Sequence, residues 1–536
     1  MYGGLGEAPF FCKGDSDTMQ RMKKKEAIWN SGERDNVNLP SSVSDSWHDM
    51  LSYPNQNFRF KEPYAPSRFR RFLIYVLLWS TERIVGSFRT RESSSFLTPQ
   101  WKRLLHYLVE KGFASRMALS LPHKSEPTLY YLFLFSPFHA HLTDGNKPRV
   151  LGLGRGFSSD YDTAVSTAFG ECLERIPFLY YRNDEFVTAT PQELEARGED
   201  FLDPHIINAF SAGQRTLRLR LGQISQQAPF RWIKASQLTS GVQPRKAQSK
   251  LIPAQLVYWK YKRMKGEPVL FPMSTHGGAG YFSREGALLR ALYEWIQRDG
   301  FFGYWLRGKS PRRISPHSVP QGETMELIKL TEKYGFTIHL LDITPQDIAV
   351  PSIFCILTSS TSPVATITAG SGSDVNLLSA IHSAIEEALS MHHWLSNQRT
   401  SYTLPDTYDI LTTELNDVER LTWWATQPVT TIDFFLQGSL ENYSEVSRRY
   451  PTAASLGDGE VLESVVQKLT RAGHEIYYYE SPHPVVKSLG FRSVRVFVTD
   501  LLPMYHSSTA IPLALLARRF GKEEETFHNT LPSLFP

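Results

Sequence analysis

Cysteine is scarce: the 536 residues hold three, Cys12, Cys172 and Cys355, with no C-x-x-C pair. That excludes a disulfide framework and a sulfur-bound structural zinc, and it suits reduced thiols in the cytoplasm, the expected location. A long apolar run is missing too. The most hydrophobic stretch, FLIYVLLWS at 72–80, has nine residues, whereas a membrane span needs about 20. It reads as a buried strand or helix turn, and no membrane association is expected. The start, MYGGLGEAPFFCKGDSD, has no basic segment leading into an apolar core, so no signal peptide is expected. Charge of one sign does not dominate. A net charge of +4 is too mild to require nucleic acid or an anionic surface as partner, although an acidic peptide or a nucleotide would suit it. What is present, 41% hydrophobic and 12% aromatic residues, describes a folded protein with a sizeable core.

The chain changes character twice. Residues 1–60 are polar and irregular, with RMKKKE at 21–26 and SSVSDS at 41–46, and read as a loosely ordered arm whose lysines form a solvated face. Residues 61–145 read as a small α+β module. In it LTPQWKRLLHYLVEKGF has a Thr-Pro start, a helical period and a glycine stop, and the strand-like SRMALSL and TLYYLFLF follow. Such a module could dock a partner. From 146 to 536, apolar strands (RVLGLG, FTIHLLDI, SIFCILTS, RVFVTDLL) alternate with helical patterns at 161–181, 283–298, 324–334, 377–396 and 460–472. The expected fold class is therefore α/β with mixed sheets and long helices. TSGVQPRKAQSKLIP at 239–253 reads as the clearest internal loop.

Carboxylates recur on three of those helices. STAFGECLERIPFLYY, 166–181, carries Glu171 and Glu174 on one face with Arg175 beside them. Glu294, Arg298 and Asp299 lie on the second helix and Glu386 and Glu387 on the third. Like charges side by side are costly unless a cation separates them, and spacing leaves open a lysine, an arginine or a metal. Gly-rich loops, LGLGRGFSSD and STHGGAGYFS, precede the first two helices. Acids near glycine backbone suit a hard cation that keeps some water and bridges to phosphates. Singly, each pattern is equally a solvated or ion-paired helix face. GLGRG is followed by no GK[ST], so it is not a Walker loop, and no acid is placed as a dinucleotide site needs.

Taken in order, the segments resemble the YcaO family, enzymes that use ATP to modify peptide backbone amides. GRGFSSDYDTAVSTAFGECLER, 154–175, is similar to the family's GKG-like turn and SAxxExxER helix. STHGGAGYFSREGALLRALYEWIQRD, 274–299, matches without a gap the segment usually written STNGLAAGxxxEEAxxxALxExxERD. LLDITPQDIAVPSIFCIL, GSGSDVNLLSAIHSAIEEAL and VRVFVTDLLPMYH follow in register, and NTLPSLFP is similar to the Pro-rich tail of the azoline-forming cyclodehydratase branch. The resemblance implies an ATP and Mg2+ site in which Glu171, Glu174 and Glu294 hold the metal. It adds Arg155, Thr167, His276, Gln297, Arg298, Glu387 and Arg495 around the nucleotide, with Arg298 facing the phosphates, and it gives Pro536 a catalytic place at the end of the tail.

It also implies a reaction. A Cys, Ser or Thr side chain of a ribosomal precursor peptide attacks the preceding carbonyl, ATP phosphorylates the oxygen, and phosphate leaves a thiazoline or oxazoline. A homodimeric core, a downstream flavin dehydrogenase and a leader-binding partner of E1-like or ThiF-like type are implied as well. With no C-x-x-C pairs and no such segment before residue 146, that partner is expected on a separate chain. Several positions depart from the pattern: Gly286 and Gln297 stand where glutamates are usual, His276 for asparagine, Arg155 for lysine, Thr167 for serine, Ser390 for glutamine and Leu534 within the tail. Losing two negative charges weakens a metal site. The alternatives are ATP-dependent thioamide or amidine formation, and a YcaO-fold scaffold without turnover.

Overall fold

The Thr-Pro start and apolar period near residue 100 do make a helix, and the sheet beside it is continuous with the strand that leads to the first carboxylate helix. The computed structural model describes residues 90–535 except 93–96, 123–125, 137–150, 219–220, 242–247, 397–414, 452–455, 506–509, 522–527 and a few single positions. The arm expected at 1–60, the run at 72–80 and the final residue, Pro536, lie outside the described residues. All described residues fall in one compact unit, 48–536.

Four strands form the first sheet in chain order: β1 (Thr90–Glu92), β2 (Arg116–Ser120), β3 (Tyr130–Ser136) and β4 (Leu151–Ser158). All are antiparallel, and β4 contains GLGRG. Helix α1 (Pro99–Glu110) precedes β2 and buries Leu105, Tyr107 and Leu108. Trp101 stacks on Phe169 of α2 (Tyr161–Leu179) at 5.4 Å.

A second sheet starts with β5 (Val187–Ala189), β6 (Phe230–Leu238), β7 (Ser249–Pro253) and β8 (Gly278–Tyr281). Strand β7 corrects the loop expected at 239–253: its second half pairs antiparallel with β6 and buries Ile252. Helix α3 (Arg284–Trp305) follows. The periodic pattern at 283–298 continues through the whole of REGALLRALYEWIQRDGFFGYW, 284–305, where Phe301, Phe302 and Trp305, each 0% exposed, bury themselves against the third sheet and its neighbours. That burial outweighs the poor helix propensity of Gly300 and Gly303.

The third sheet comprises β9 (Arg312–Ile314), β10 (Thr337–Asp342), β11 (Ser352–Thr358), β12 (Ile367–Ser373) and β13 (Leu440–Glu441), ordered β12-β11-β10-β9-β13. Only the β13–β9 pairing is parallel. Helices α4 (Glu323–Lys333), α5 (Leu377–Ser396), α6 (Asp417–Thr426) and α7 (Asp458–Arg471) lie in and after this stretch. Then β14 (Ile476–Glu480) and β15 (Arg492–Val498) return to complete the second sheet as β5-β6-β14-β15-β8, and α8 (Leu513–Phe520) follows. The α/β class expected from sequence is the one observed. No helix among the described residues is long and apolar enough to cross a membrane.

One buried polar cluster ties the β2–β3 connection to α5. The Glu126 carboxylate accepts from Nδ1 of His392 at 3.0 Å and of His393 at 2.8 Å, and all three side chains are 1% exposed. Ser362 and Ser120 meet the opposite ring nitrogens at 2.9 and 2.8 Å, and Tyr131 stacks on His393 at 3.7 Å. Every ring nitrogen therefore has a partner, as burial demands.

Candidate functional site

Three strand-and-helix pairs build the site by the same device. In the first, a Cβ on Gly154 or Gly156 of β4 would strike the carbonyls of Ala168 and Ala164, so glycine lets α2 lie directly on the strand. Glu171 then reaches back to accept the backbone N–H of Arg155, between those glycines. The third pair repeats this. A Cβ on Gly370 or Gly372 of β12 would strike the backbone of α5 at Ala384 and Ala380, and Glu387 accepts from the Ser371 N–H at 2.6 Å and its hydroxyl at 2.8 Å. In both pairs acceptor and donor are 16 residues apart. The second pair differs by one residue: Glu294 on α3 accepts the Gly277 N–H at 2.8 Å, 17 residues back. Gly277 has φ +77°, and a side chain there would meet the Trp295 indole and the Val496 carbonyl, so only glycine serves.

Arginines pair with two of these carboxylates. Arg175, a turn beyond Glu171, pairs with its Oε1, while the Arg155 side chain is 4.0 Å away and 43% exposed. Arg298 donates to Glu294 at 3.1 Å and to the amide oxygen of Gln297. The oxygen of Gln297, expected around the nucleotide, is thus occupied by its neighbour. Arg298 is buried, which lowers its pKa, and Glu294 and Glu387 oppose that shift. Arg495 on β15 donates to the carbonyls of Thr275, Ser274 at 2.6 Å and Leu256 at 3.2 Å, bracing the loop before β8. Burial pushes it down to about 10, against Glu294 and Glu174, so it is still a cation at neutral pH.

Glu174 has a different environment. Its Oε1 lies beside the Cα positions of β8, where a Cβ on Gly278 would sit 3.1 Å from it and 3.4 Å from Arg495 Nη1. Loss of solvation raises its pKa well above the ordinary value; Arg175 and Arg495 oppose the rise, and Glu294 and Glu171 add to it. Three acids therefore share one neighbourhood and repel one another, which a bound cation relieves.

Other expected residues sit nearby with distinct roles. His276 is 2% exposed, edge-on to Trp295 at 4.1 Å, in the loop that Arg495 braces. Thr167 is exposed, and its hydroxyl donates back to Thr163 at 2.8 Å, one turn from Glu171. Gly286 is not part of the acid cluster at all. It lies two turns from Glu294, about 12 Å along the helix, and a Cβ there would strike Tyr281, Ser283 and Asp458. A glutamate at 286 would have to displace those side chains. Glu386, next to Glu387, accepts from Ser158 Oγ at 3.2 Å and Ser159 N at 3.4 Å, joining the end of β4 to α5.

Sequence reasoning missed Ser371, Phe535 and Arg420. Ser371 could have been found, since GSG repeats the GRG spacing before a glutamate helix. Phe535 packs its ring under Arg298, 3.9 Å from the guanidinium carbon; nothing local announces that contact. Among the described residues no three His, Cys, Asp or Glu side chains converge as a ready metal cage. Magnesium does not need one, because it keeps several waters and takes one or two carboxylates plus phosphate oxygens. A mutually repelling trio of acids beside two buried arginines fits a magnesium-bound polyphosphate.

Comparisons with known proteins agree. The family model described as YcaO cyclodehydratase, ATP- and Mg2+-binding, matches residues 154–502. An uncharacterized protein of Methanothermobacter thermautotrophicus is 23% identical over 376 residues, covering 69% of this chain and 85% of that one. Among solved structures, a heterocyclase in complex with substrate and cofactor shares the fold with TM-score 0.63 and 16% identity over 84% of this chain. The chain spans 59% of that heterocyclase's length. A YcaO protein from Methanopyrus kandleri bound with AMPPCP and Mg2+ gives TM-score 0.51 and 14% identity, covering 77% of this chain and 92% of that one.

Proposed function

The chain belongs to the YcaO family, whose cofactors are ATP and Mg2+, and on that premise we propose that it is a peptide cyclodehydratase of the azoline-forming branch. The observation that carries this reading is the meeting of Glu171, Glu174 and Glu294 with Arg298 and Arg495 at the loop before β8. ATP supplies the phosphoryl group that makes an amide oxygen a good leaving group. The chain's own residues position and neutralise. Glu171, Glu174 and Glu294 would hold the metal, Arg298 and the exposed Arg155 would meet phosphate oxygens, and Glu387 fixes the Ser371 backbone. Arg495 and His276 keep the loop in place, while Thr167 offers a hydroxyl at the rim.

In the proposed reaction a Cys, Ser or Thr side chain of a precursor peptide gives up its proton to solvent and bonds to the carbonyl carbon of the preceding residue, opening the C=O double bond to an oxyanion. The amide oxygen takes the γ-phosphoryl group as ADP leaves. The nitrogen then loses its proton, the C=N bond forms, and phosphate departs with that oxygen. The peptide is brought by a separate leader-binding chain of E1-like type, a homodimer presents the site, and a flavin dehydrogenase can oxidise the ring afterwards. Pro536, at the end of the tail, is the remaining catalytic candidate.

Calorimetry with Mg-ATP on the purified chain and on Glu171→Ala tests the site. Magnesium-dependent binding that vanishes in the variant is expected. Mass spectrometry of a leader-bearing peptide then separates loss of one water per ring from exchange of amide oxygen for sulfur, the mark of a thioamide. One observation favours a scaffold instead: Glu171 and Glu294 already hold arginines and main-chain N–H groups. Absence of Mg-ATP binding, with the partner present, decides for it.

A further inference from the structure

Arg420 is an arginine on α6 with 3% exposure, which is costly unless its donors are used. It spends them on main chain close to residue 536. One terminal nitrogen donates to the carbonyls of Ser533, at 2.7 Å, and Phe535, and the other reaches Asp417 at 3.3 Å. Trp424, one turn along α6, donates its indole N–H to the Pro532 and Ser533 carbonyls, both at 3.2 Å. The far end of the segment is pinned to α3: the N–H groups of His528 and Asn529 both donate to the Leu306 carbonyl. Residues 528–535 therefore run back along α3 from its end toward Arg298. There Phe535, 1% exposed, packs among Phe301, Phe302 and Phe354 with its ring on the Arg298 guanidinium.

We infer that Arg420 is a positioning residue that seats Phe535 on Arg298, so that the order of segment 528–535 and the affinity for Mg-ATP are one linked equilibrium. The inference rests on the nucleotide site proposed above. Arg298 has two ways to satisfy its charge, the Glu294 carboxylate and an incoming phosphate. An aromatic face under a guanidinium holds its plane without using its N–H donors. With Phe535 seated, the guanidinium plane is fixed while its donors rest on Glu294 and Gln297, from which an incoming phosphate can take them. Without the ring that plane is no longer held, and the phosphate loses a preorganised partner.

The test uses the full chain with Arg420→Met, Phe535→Leu and the double variant. Leucine keeps the apolar packing and removes only the ring face. Mg-ATP affinity by calorimetry is expected to fall roughly 5- to 30-fold in each single variant, the range a desolvated cation–π contact supplies. The double variant is expected to bind no more weakly than the worse single one, since both act through one contact. Hydrogen exchange of 528–535 is expected to quicken in Arg420→Met and to slow in the wild type on adding Mg-ATP. Wild-type affinity in the single variants, or losses that multiply in the double, would overturn the inference while leaving the nucleotide site standing. If the wild-type chain binds no Mg-ATP, both readings fall together. Unchanged exchange of 528–535 in Arg420→Met overturns the positioning role by itself. A purely structural arginine would lower the unfolding temperature and leave the affinity of the folded fraction alone.

Discussion

Removing the Glu126 carboxylate should loosen the helix that carries Glu387. The carboxylate makes two contacts, 3.0 Å to His392 and 2.8 Å to His393, at 1% exposure on all three side chains. A hydrogen bond to a charged acceptor contributes about 1.5–3 kcal/mol net. Glu126→Gln keeps one acceptor oxygen and turns an amide toward the other ring, which can reverse its tautomer against Ser362. With both contacts kept as neutral bonds, it should cost only their charge assistance, about 1–3 kcal/mol. Glu126→Ala removes both and leaves two buried imidazoles short of an acceptor, for about twice that loss. Urea unfolding followed by tryptophan fluorescence measures the difference, and hydrogen exchange locates it. Faster exchange is expected across 377–396 and 130–136, the elements that the cluster joins. An alanine variant within about 0.5 kcal/mol of wild type, the range of neutral surface changes, would refute the reasoning.

Glu174 links stability to pH. Its carboxyl pKa is raised in the folded chain, so the folded state holds the proton more tightly than the unfolded one, and stability falls as pH rises from the ordinary value of 4.5 through the folded one. Glu174→Gln removes this dependence; its unfolding midpoint should change less than the wild type's as pH rises above the ordinary 4.5, while Mg-ATP binding by calorimetry is lost. Gly286→Glu, which restores the family's usual residue, should cost about 1–3 kcal/mol by pressing on Tyr281 and Asp458. Its Mg-ATP affinity should not rise; a tighter complex would place residue 286 at the metal after all.

Much of this was open to reading in the chain. The 16-residue reach from Arg155 to Glu171 depends only on helix geometry and on two glycines thin enough for a helix to lie on, both visible in GRGFSSDYDTAVSTAFGECLER. The same features in GSGSDVNLLSAIHSAIEEAL announce Glu387, and the α/β alternation follows from apolar periods of two kinds. The full helix 284–305 was legible too, although why it survives Gly300 and Gly303 shows only in the burial of Phe301, Phe302 and Trp305.

The sequence by itself determined which residues could carry charge and at what helical spacing, because those depend on neighbours within a few turns. Only the tertiary structure decided what each charge meets. Gln297 could have been a ligand and instead receives Arg298. Gly286 looked like a lost acid and is a packing contact with Asp458, far along the chain. Phe535 and Arg298 are 237 positions apart by number, yet α6 and the end of α3 bring them to 3.9 Å. Contacts of that kind are set by which buried groups find partners once water is excluded, and no local period encodes them.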